Sequence, residues 1–229
     1  MPERKKYLIV TAGGSGTRMG TDRPKQFLEL GGKAILQLTI ERFLEAEPEL
    51  AVVVVLPKDH ISSWKFYCYE RRFECPQTLV CGGITRFHSV KNALEKVPGG
   101  ALVAIHDGVR PLLSAALVRR LFEEAEAKGS AVPVTPCVET MKLLEPGTLA
   151  LCGKAPDRAR LFGVQTPQIF HSETIKAAFL QPFDPDFTDE SSVMEAAGKE
   201  VFFTPGERTN IKITTPDDLL LAKAILSLG

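Results

Sequence analysis

Strand-like and helix-like patterns alternate along the first 136 residues of this chain. Short apolar runs that are typical of buried strands lie at 7–12, 51–56, 78–81, 102–106 and 131–136. Helical patterns lie between them, near 35–45, 62–74, 86–95 and 114–127. Because consecutive parallel strands need a crossover, this alternation predicts an α/β fold whose sheet is mainly parallel, with helices on both faces.

The alternation ends after residue 136. A turn signal, Glu145-Pro146-Gly147, separates apolar runs at 141–144 and 149–152, and this predicts a β-hairpin that projects from the sheet. An isolated hairpin is marginal in water, so we expect it to pack against a partner subunit or against its own domain. The last third predicts a helix near 172–180, a helix capped by Thr188, a strand at 200–204 and a helix that begins at Thr215-Pro216. No linker divides the chain, which predicts one Rossmann-like domain over 1–229 with a β-arm extension at 137–160.

Composition excludes several classes of protein. The 28 basic and 28 acidic residues cancel, so no overall field favours nucleic acid or an anionic membrane as a partner. The longest apolar run, 51–56, is far shorter than the roughly 20 residues of a membrane helix, and we expect a cytoplasmic protein. Five cysteines, without a C-x-x-C pair, predict reduced thiols rather than a disulfide framework or a zinc site.

A glycine-rich loop follows the first predicted strand at residues 13–20. It lacks the Gly-Lys-Ser/Thr ending of a P-loop, and Met19 stands where the dinucleotide pattern needs its third glycine. Glycines still let backbone N–H groups approach an anion closely. Arg18 and Lys25 add two cations, so we interpret the segment as a phosphate-binding loop; the alternative is an ordinary βα connection.

Two other predicted strands end in residues that suit a ligand. Asp107 and Arg110 follow the strand at 102–106, where the carboxylate could hold Mg²⁺ or a sugar hydroxyl; the alternative is a turn closed by a local ion pair. Gly82 and Gly83 precede a helix that carries Ser89, as in a loop that recognises a base, although two glycines are also simply a turn.

Some polar residues are informative only if they converge in space. Arg158, Thr188 and Lys212 come from three separate late segments, and each alone is typical of a solvated surface. His88 and His106 are interpreted as packed or surface histidines rather than as acid–base catalysts.

The ordered set of motifs resembles the family of 2-C-methyl-D-erythritol 4-phosphate cytidylyltransferases over nearly the whole chain. The segments that carry the resemblance are Ala12-Gly13-Gly14-Ser15-Gly16-Thr17-Arg18-Met19-Gly20, Pro24-Lys25-Gln26, Gly82-Gly83 with Arg86 and Ser89-Val90, His106-Asp107-Gly108-Val109-Arg110-Pro111, Thr140-Met141-Lys142, Gln165-Thr166-Pro167-Gln168, Thr188-Asp189-Glu190 and Asn210-Ile211-Lys212. Sugar nucleotidyltransferases share individual motifs, but the ordered set narrows the resemblance to cytidylyltransferases of alditol phosphates.

The resemblance implies transfer of CMP from CTP to 2-C-methyl-D-erythritol 4-phosphate, with release of pyrophosphate, in the non-mevalonate route to isoprenoids. It also implies Mg²⁺ bound with CTP and a homodimer formed through the β-arm, in which Arg110 and Thr140 serve the neighbouring subunit's site. A ribitol 5-phosphate cytidylyltransferase is the nearest alternative. A nucleotide-binding regulator without catalysis is an alternative of another class.

The resemblance also implies roles for individual residues. Arg18 and Lys25 match the cations that stabilise the transition state at the α-phosphate, and Arg158 and Lys212 match the pair that positions the acceptor. The implied secondary substrate contacts are Arg110, Thr140, Thr166 and Thr188. The implied nucleotide contacts are Ala12, Gly13, Gly14, Gly83, Ser89, Asp107 and Gly108, with Asp107 also near the metal. The chain departs from the family pattern at Ile84, where many members carry an acidic residue.

Overall fold

The computed structural model describes residues 4–14 and 24–228, so the tip of the glycine-rich loop, including Arg18, lies outside the described residues. The strands of the described ranges are β1 (Lys6–Thr11), β2 (Glu29–Leu30), β3 (Lys33–Ala34), β4 (Ala51–Leu56), β5 (Gln77–Cys81), β6 (Leu102–Asp107), β7 (Ser130–Pro136), β8 (Phe162–Val164), β9 (Gln168–His171) and β10 (Phe203–Pro205). The helices are α1 (Ile35–Ala46), α2 (Lys58–Glu70), α3 (Arg86–Leu94), α4 (Ala115–Lys128), α5 (Ser172–Ala178), α6 (Glu190–Ala196) and α7 (Pro216–Ser227). Short 3₁₀ helices cover Lys25–Phe27 and Arg158–Arg160.

The main sheet confirms the predicted α/β class. Its order is β10-β7-β9-β6-β1-β4-β5, and β8 pairs with β7. β1 is parallel to both β4 and β6, with Thr11 opposite Val55 on one side and Asp107 on the other. These pairings bring the carboxyl ends of three strands to one edge of the sheet. β9 enters antiparallel between β6 and β7, and β8 is also antiparallel. Neither β8 nor β9 was predicted, because runs of three or four residues carry too little periodicity to identify a strand.

Two apolar layers cover the two faces of this sheet. Alternate residues of β1 point to opposite layers: Leu8 packs with Phe43 of α1 and Phe122 of α4, whereas Ile9 packs with residues of α3 and α5. The period of two along a strand explains this division, since successive side chains point to opposite faces. The two layers cover both faces of the sheet and leave its carboxyl edge for other residues.

Three predicted element ends were wrong. α2 runs from Lys58 to Glu70, four residues earlier than expected, because Pro57 stands at its N-cap and the chain reverses at Arg72 with φ of 50°. Asp189, not Thr188, caps α6, since its carboxylate accepts the Ser192 N–H. β10 begins at residue 203, later than the predicted 200. The start of α7 was right: Thr215 caps it and Pro216 is its first residue.

The predicted hairpin is present in a reduced form. A single antiparallel bridge joins Leu144 to Leu151, and Cys152 donates to the Leu143 carbonyl at 3.0 Å. Leu149 and Leu151 expose 74% and 68% of their surfaces, so the hairpin buries little apolar area within this chain. Among the described residues, none of the helices is both long and apolar enough to cross a membrane.

Candidate active site

A cleft of about 560 Å³ opens at the carboxyl ends of β1, β4, β5 and β6. Thr11, Val55, Cys81 and Asp107, from the ends of these four strands, all line it. The other lining residues are Gly13, Gly14, Lys25, Pro57, Lys58, Gly82, Gly83, Ile84, Thr85, Arg86, Ser89, Val109 and Lys212. Ligands of open α/β sheets bind at this edge, so the cleft is the candidate active site.

The first residues of the glycine-rich turn are held against the sheet. The Ala12 N–H donates to the Val55 carbonyl at 2.9 Å, and the Gln26 side-chain amide donates to the Ala12 carbonyl at 2.8 Å. Gly13 and Gly14 then turn into the cleft. A side chain at Gly14 would lie 3.6 Å from Cε of Lys25, so the stem of that lysine runs alongside the turn. Gly13, Gly14 and Lys25 therefore lie together at the same cleft.

Asp107 lies at the centre of a cationic cluster. Its carboxylate receives Arg86 on Oδ1 at 2.8 Å, Lys212 on Oδ2 at 3.1 Å and Arg110 on Oδ2 at 3.2 Å. The local Asp107–Arg110 ion pair considered from the sequence thus forms, but it is part of a larger cluster that also faces the cleft.

The electrostatics of Asp107 keep its carboxyl ionised. Burial by itself would raise the pKa of Asp107, but the attraction of Arg86, then Lys212 and Arg110, outweighs burial and holds the pKa well below its usual range. Asp107 is therefore a carboxylate at neutral pH.

Arg86 links this cluster to a second buried carboxylate. Its guanidinium bonds Glu190 at 2.9 Å and the Thr11 hydroxyl at 2.8 Å in addition to Asp107. Glu190 is 1% exposed, and burial raises the pKa of its carboxyl, which the nearby Arg86 opposes. Three cations face two carboxylates, so the cluster retains one net positive charge. A cleft with that charge is complementary to phosphate groups.

The loop after β5 is compact. The Gly83 N–H donates to Ser89 Oγ at 3.0 Å, and Ser89 Oγ donates to the Thr85 carbonyl at 2.9 Å. Ser89 therefore has one lone pair left, with which it can accept from a ligand N–H or O–H. A side chain at Gly83 would collide with His88, so the glycine is required by space. Ile84 lines the cleft and is 95% exposed.

A buried network supports the cluster from behind. Thr166 is 5% exposed, and its hydroxyl accepts the Asp107 N–H at 3.1 Å. Arg110 donates to the Asn210 carbonyl at 2.8 Å, while the Asn210 side chain donates to the Thr166 carbonyl at 2.8 Å. Burial lowers the pKa of His106 to about 3, so its imidazole is neutral at neutral pH. His106 is packed, as the sequence indicated.

The structure brings together only some of the predicted site residues. Those that line the cleft are Gly13, Gly14, Lys25, Gly83, Ser89, Asp107 and Lys212. Ala12, Gly108, Arg110 and Thr166 lie directly behind its wall; Gly108, for example, donates its N–H to the Thr11 carbonyl at 2.9 Å. Thr140, Arg158 and Thr188 are exposed and do not line the cleft of this single chain, and Arg158 donates to the Val138 carbonyl within the arm.

Sequence reasoning did not assign roles to Arg86 or Glu190. Arg86 stands in the Gly82-Gly83 segment that carried part of the resemblance, and this position was the available signal. Glu190 follows Asp189 at the start of α6, where an acidic residue usually serves the helix dipole. Its pairing with Arg86, 104 residues away in sequence, has no local signal.

A parallel α/β sheet with a glycine turn and a cationic cleft at its carboxyl edge defines a nucleotide- or phosphate-binding protein of the α/β class. Comparison with known families narrows this class. The family model described as 2-C-methyl-D-erythritol 4-phosphate cytidylyltransferase matches residues 7–228, and the chain belongs to this family of enzymes.

Relatives and solved structures agree with that assignment. A protein of Bacteroides thetaiotaomicron named 2-C-methyl-D-erythritol 4-phosphate cytidylyltransferase is 44% identical over 97% of this chain and 100% of its own length. A Porphyromonas gingivalis protein of the same name is 46% identical over 98% of this chain and 99% of its own length. The solved 4-diphosphocytidyl-2C-methyl-D-erythritol synthase of Anaerococcus prevotii has a TM-score of 0.80 and 27% identity, with coverage of 98% of this chain and 99% of its own.

Proposed function

We propose that this chain transfers CMP from CTP to 2-C-methyl-D-erythritol 4-phosphate and releases pyrophosphate, a reaction of non-mevalonate isoprenoid synthesis. The names of its relatives support this reaction. The single structural observation that carries the proposal is the cluster around Asp107, which has net positive charge and faces the glycine turn across one cleft.

The chemistry requires positioning and charge rather than proton transfer by the protein. An oxygen of the acceptor's phosphate attacks the α-phosphorus of CTP, and the bond from that phosphorus to the oxygen bridging to the β-phosphate breaks. The leaving group is pyrophosphate. A phosphate monoester is mostly a dianion at pH 7, because its second pKa is about 6, so the nucleophile needs no general base. Catalysis then consists of alignment of the two phosphates and stabilisation of the charge that develops between them.

The glycine turn and its neighbouring cation suit the triphosphate. Backbone N–H groups of Gly13 and Gly14 would hold the phosphate oxygens, with Ala12 bordering the nucleotide from behind the wall, and Lys25, whose stem borders Gly14, would neutralise charge on the α-phosphate. We assign Arg18 the same role; its position lies outside the described residues. Gly83 and Ser89 would contact the cytosine, and Gly108, behind the wall, would support the ribose end of the nucleotide.

The residues present fit a magnesium ion held chiefly by the nucleotide. Three of the four lone pairs of the Asp107 carboxylate already receive Arg86, Arg110 and Lys212, which leaves one direction on Oδ1. The described residues contain no group of three or more His, Cys, Asp or Glu side chains suited to a metal. Magnesium commonly binds through one carboxylate together with substrate phosphates. Asp107 would be that carboxylate, and the ion would supply charge neutralisation at the phosphates.

The acceptor end of the site is proposed to include two subunits. Lys212 lines the cleft beside Asp107, and it would bind the acceptor with Thr166, which lies behind the same wall. Arg110 is held by Asp107 and the Asn210 carbonyl of its own chain, so we propose that it acts in the same site as Lys212 rather than in the neighbour's. Thr188 does not line the cleft and is proposed as a contact on the resemblance alone. Thr140 and Arg158 lie on the arm instead. We propose that the arm, residues 137–160 of a single domain, crosses to a second copy and completes its site.

Exposed apolar side chains on the arm support the homodimer. Met141, Leu143, Leu144, Leu149 and Leu151 are 42–74% exposed, although such residues are usually covered when they cluster. Leu149→Asp with Leu151→Asp should convert a dimer to a monomer in sedimentation equilibrium, and Leu180→Asp, an exposed leucine outside the arm, is the matched control. A double variant that remains dimeric would contradict the role of the arm.

The direct test measures pyrophosphate release with CTP and Mg²⁺. We expect release with 2-C-methyl-D-erythritol 4-phosphate, far less with D-ribitol 5-phosphate, and a large loss in the Lys25→Ala and Arg18→Ala variants. Preference for ribitol 5-phosphate would move the protein to the alternative substrate. Binding of CTP without release from either acceptor would refute the proposed reaction and favour a regulator.

A further inference from the structure

His106 lies directly beneath the cationic cluster and does not reach the cleft. Its ring is fully buried and packs edge-on against Phe43, with ring centres 4.9 Å apart. Nε2 lies 3.0 Å from the backbone carbonyl oxygen of Arg110, and Nδ1 lies 3.0 Å from Oγ1 of Thr166. Because His106 is absent from the cleft lining, any effect on the reaction must pass through these neighbours.

The hydrogen-bond partners determine where the protons are. A carbonyl oxygen can only accept, so Nε2 must carry the ring proton and donate to Arg110. Nδ1 of the neutral ring is then bare and accepts the Thr166 hydroxyl proton. The Thr166 oxygen in turn accepts the Asp107 N–H at 3.1 Å. One directed chain therefore runs from the Asp107 amide through Thr166 and His106 to the Arg110 carbonyl.

This chain joins the two ends of a functional turn. Asp107 begins the turn and Arg110 ends it, with the Arg110 N–H donating to the Asp107 carbonyl at 3.1 Å. Asp107 and Arg110 are also the residues whose side chains meet in the cluster. We propose that His106 is a positioning residue: as the Nε2-protonated tautomer, it fixes the 107–110 turn and so the relative placement of the Asp107 carboxylate and the Arg110 guanidinium.

The tautomer can be tested without any assay of activity. In protein labelled with ¹⁵N-histidine, long-range ¹H–¹⁵N spectra at neutral pH should show a protonated Nε2 and a bare Nδ1 for His106. The chain has four histidines, and the signal that disappears in His106→Gln identifies the ring. A proton on Nδ1, whether alone or together with one on Nε2, would overturn the directed chain.

The effect on turnover rests on the proposed function and is tested with shape-preserving variants. His106→Phe keeps the ring and its contact with Phe43 but removes both hydrogen bonds. Since a displacement near 1 Å can cost roughly 100-fold, we expect kcat/KM for the acceptor to fall about 10²-fold, mainly through KM. KM for CTP should change less than KM for the acceptor, because the glycine turn and the loop after β5 hold the nucleotide and the 107–110 turn reaches it only through Asp107. A variant that lowers kcat and leaves both KM values unchanged would indicate only lost folded protein and would overturn the positioning role.

A double variant distinguishes loss of the hydrogen-bond chain from general destabilisation of the protein. Thr166→Val breaks the same chain, so His106→Phe with Thr166→Val should lose no more kcat/KM than the worse single variant, whereas additive losses would overturn the proposal. Tyr67→Phe is the matched control, because it loses two buried hydrogen bonds, to Ala34 N and Gln37, far from the cluster in sequence. It should be destabilised without a change in KM for the acceptor.

Failure of the proposed reaction and failure of this inference give different results. If the wild-type protein releases no pyrophosphate, the proposed reaction fails. The hydrogen-bond chain is still tested by the His106 tautomer and by whether the effects of His106→Phe and Thr166→Val on urea unfolding are additive. Non-additive losses of unfolding free energy, together with a protonated Nε2, would support the hydrogen-bond chain. Additive losses of unfolding free energy would overturn it, whatever the substrate.

Discussion

Arg86→Met tests the electrostatic architecture of the site. Arg86 is the first residue of α3 and bonds Asp107, Glu190 and the Thr11 hydroxyl. Methionine keeps an unbranched side chain and a good helix propensity, so the helix itself should persist. The substitution removes one cation from two buried carboxylates at once.

The expected loss of unfolding free energy follows from the burial of each ionic partner of Arg86. Glu190 is 1% exposed, and loss of one member of a buried ion pair costs about 3–5 kcal/mol because the other charge is left without a partner. The Arg86 side chain is 29% exposed, which admits water and places the expected loss near the lower end, at about 3 kcal/mol. Asp107 adds little, since Arg110 and Lys212 still contact it.

A second substitution should reverse much of this loss. Arg86→Met with Glu190→Leu removes the stranded carboxylate and replaces a buried ion pair by apolar groups of similar volume, a change that is often close to neutral. We expect the double variant to regain at least about 2 kcal/mol of unfolding free energy. Turnover should remain low, because Oδ1 of Asp107 still lacks its partner.

Urea unfolding measures both effects, with the midpoint compared at a constant m-value. Pyrophosphate release on the same samples separates stability from turnover. The reasoning would be refuted by a loss below about 1 kcal/mol for Arg86→Met, which would mean that Glu190 does not depend on Arg86. It would equally be refuted if the two substitutions destabilised the protein additively.

Three further predictions concern the cleft. Lys25→Ala should lower kcat about 10²- to 10³-fold in pyrophosphate release, as for other preorganised donors, and retained turnover would exclude Lys25 from the α-phosphate. The lowered pKa of Asp107 means that its contribution to stability is complete above its unfolded pKa of about 3.9 and is lost as the pH falls toward the folded value; Asp107→Asn should therefore flatten the acid side of the urea-midpoint profile, and an unchanged slope would contradict the shift. Gly83→Ala places a Cβ against His88 and should cost about 1–3 kcal/mol and weaken CTP binding in calorimetry, while Gly99→Ala, with open space around it, should change neither; equal behaviour of the two would contradict the steric reason.

Local sequence was sufficient for the fold class and for part of the site. The parallel strands β1, β4, β5 and β6 all lie where apolar runs predicted them, and the glycine turn follows β1. A parallel α/β sheet aligns its strand ends, so the sequence could place Lys25, Asp107 and Ser89 at one edge before any distance was known. The predicted ends of some elements were wrong, since α2 begins earlier, directly after Pro57, and Asp189 is the N-cap of α6.

The hydrogen-bond partners in the site are distant in sequence and are brought together by the strand order of the sheet. β9 inserts antiparallel between β6 and β7, and this insertion brings Thr166 against His106 and the Asp107 amide. No periodicity around residue 166 indicates that strand order. Strand order is set by which apolar faces the whole chain can bury, which is a property of the complete core rather than of a window of sequence.

What the sequence by itself determined was the identity of local elements and the residue types available at the sheet edge, because strand period, turn glycines and helix caps act over a few residues. Only the tertiary structure decided that Arg86 and Lys212 meet at Asp107 and that Arg86 also pairs with Glu190. Charges separated by 21 to 105 positions interact strongly only when folding excludes water and brings them within about 3 Å, since the same charges in the unfolded chain are screened.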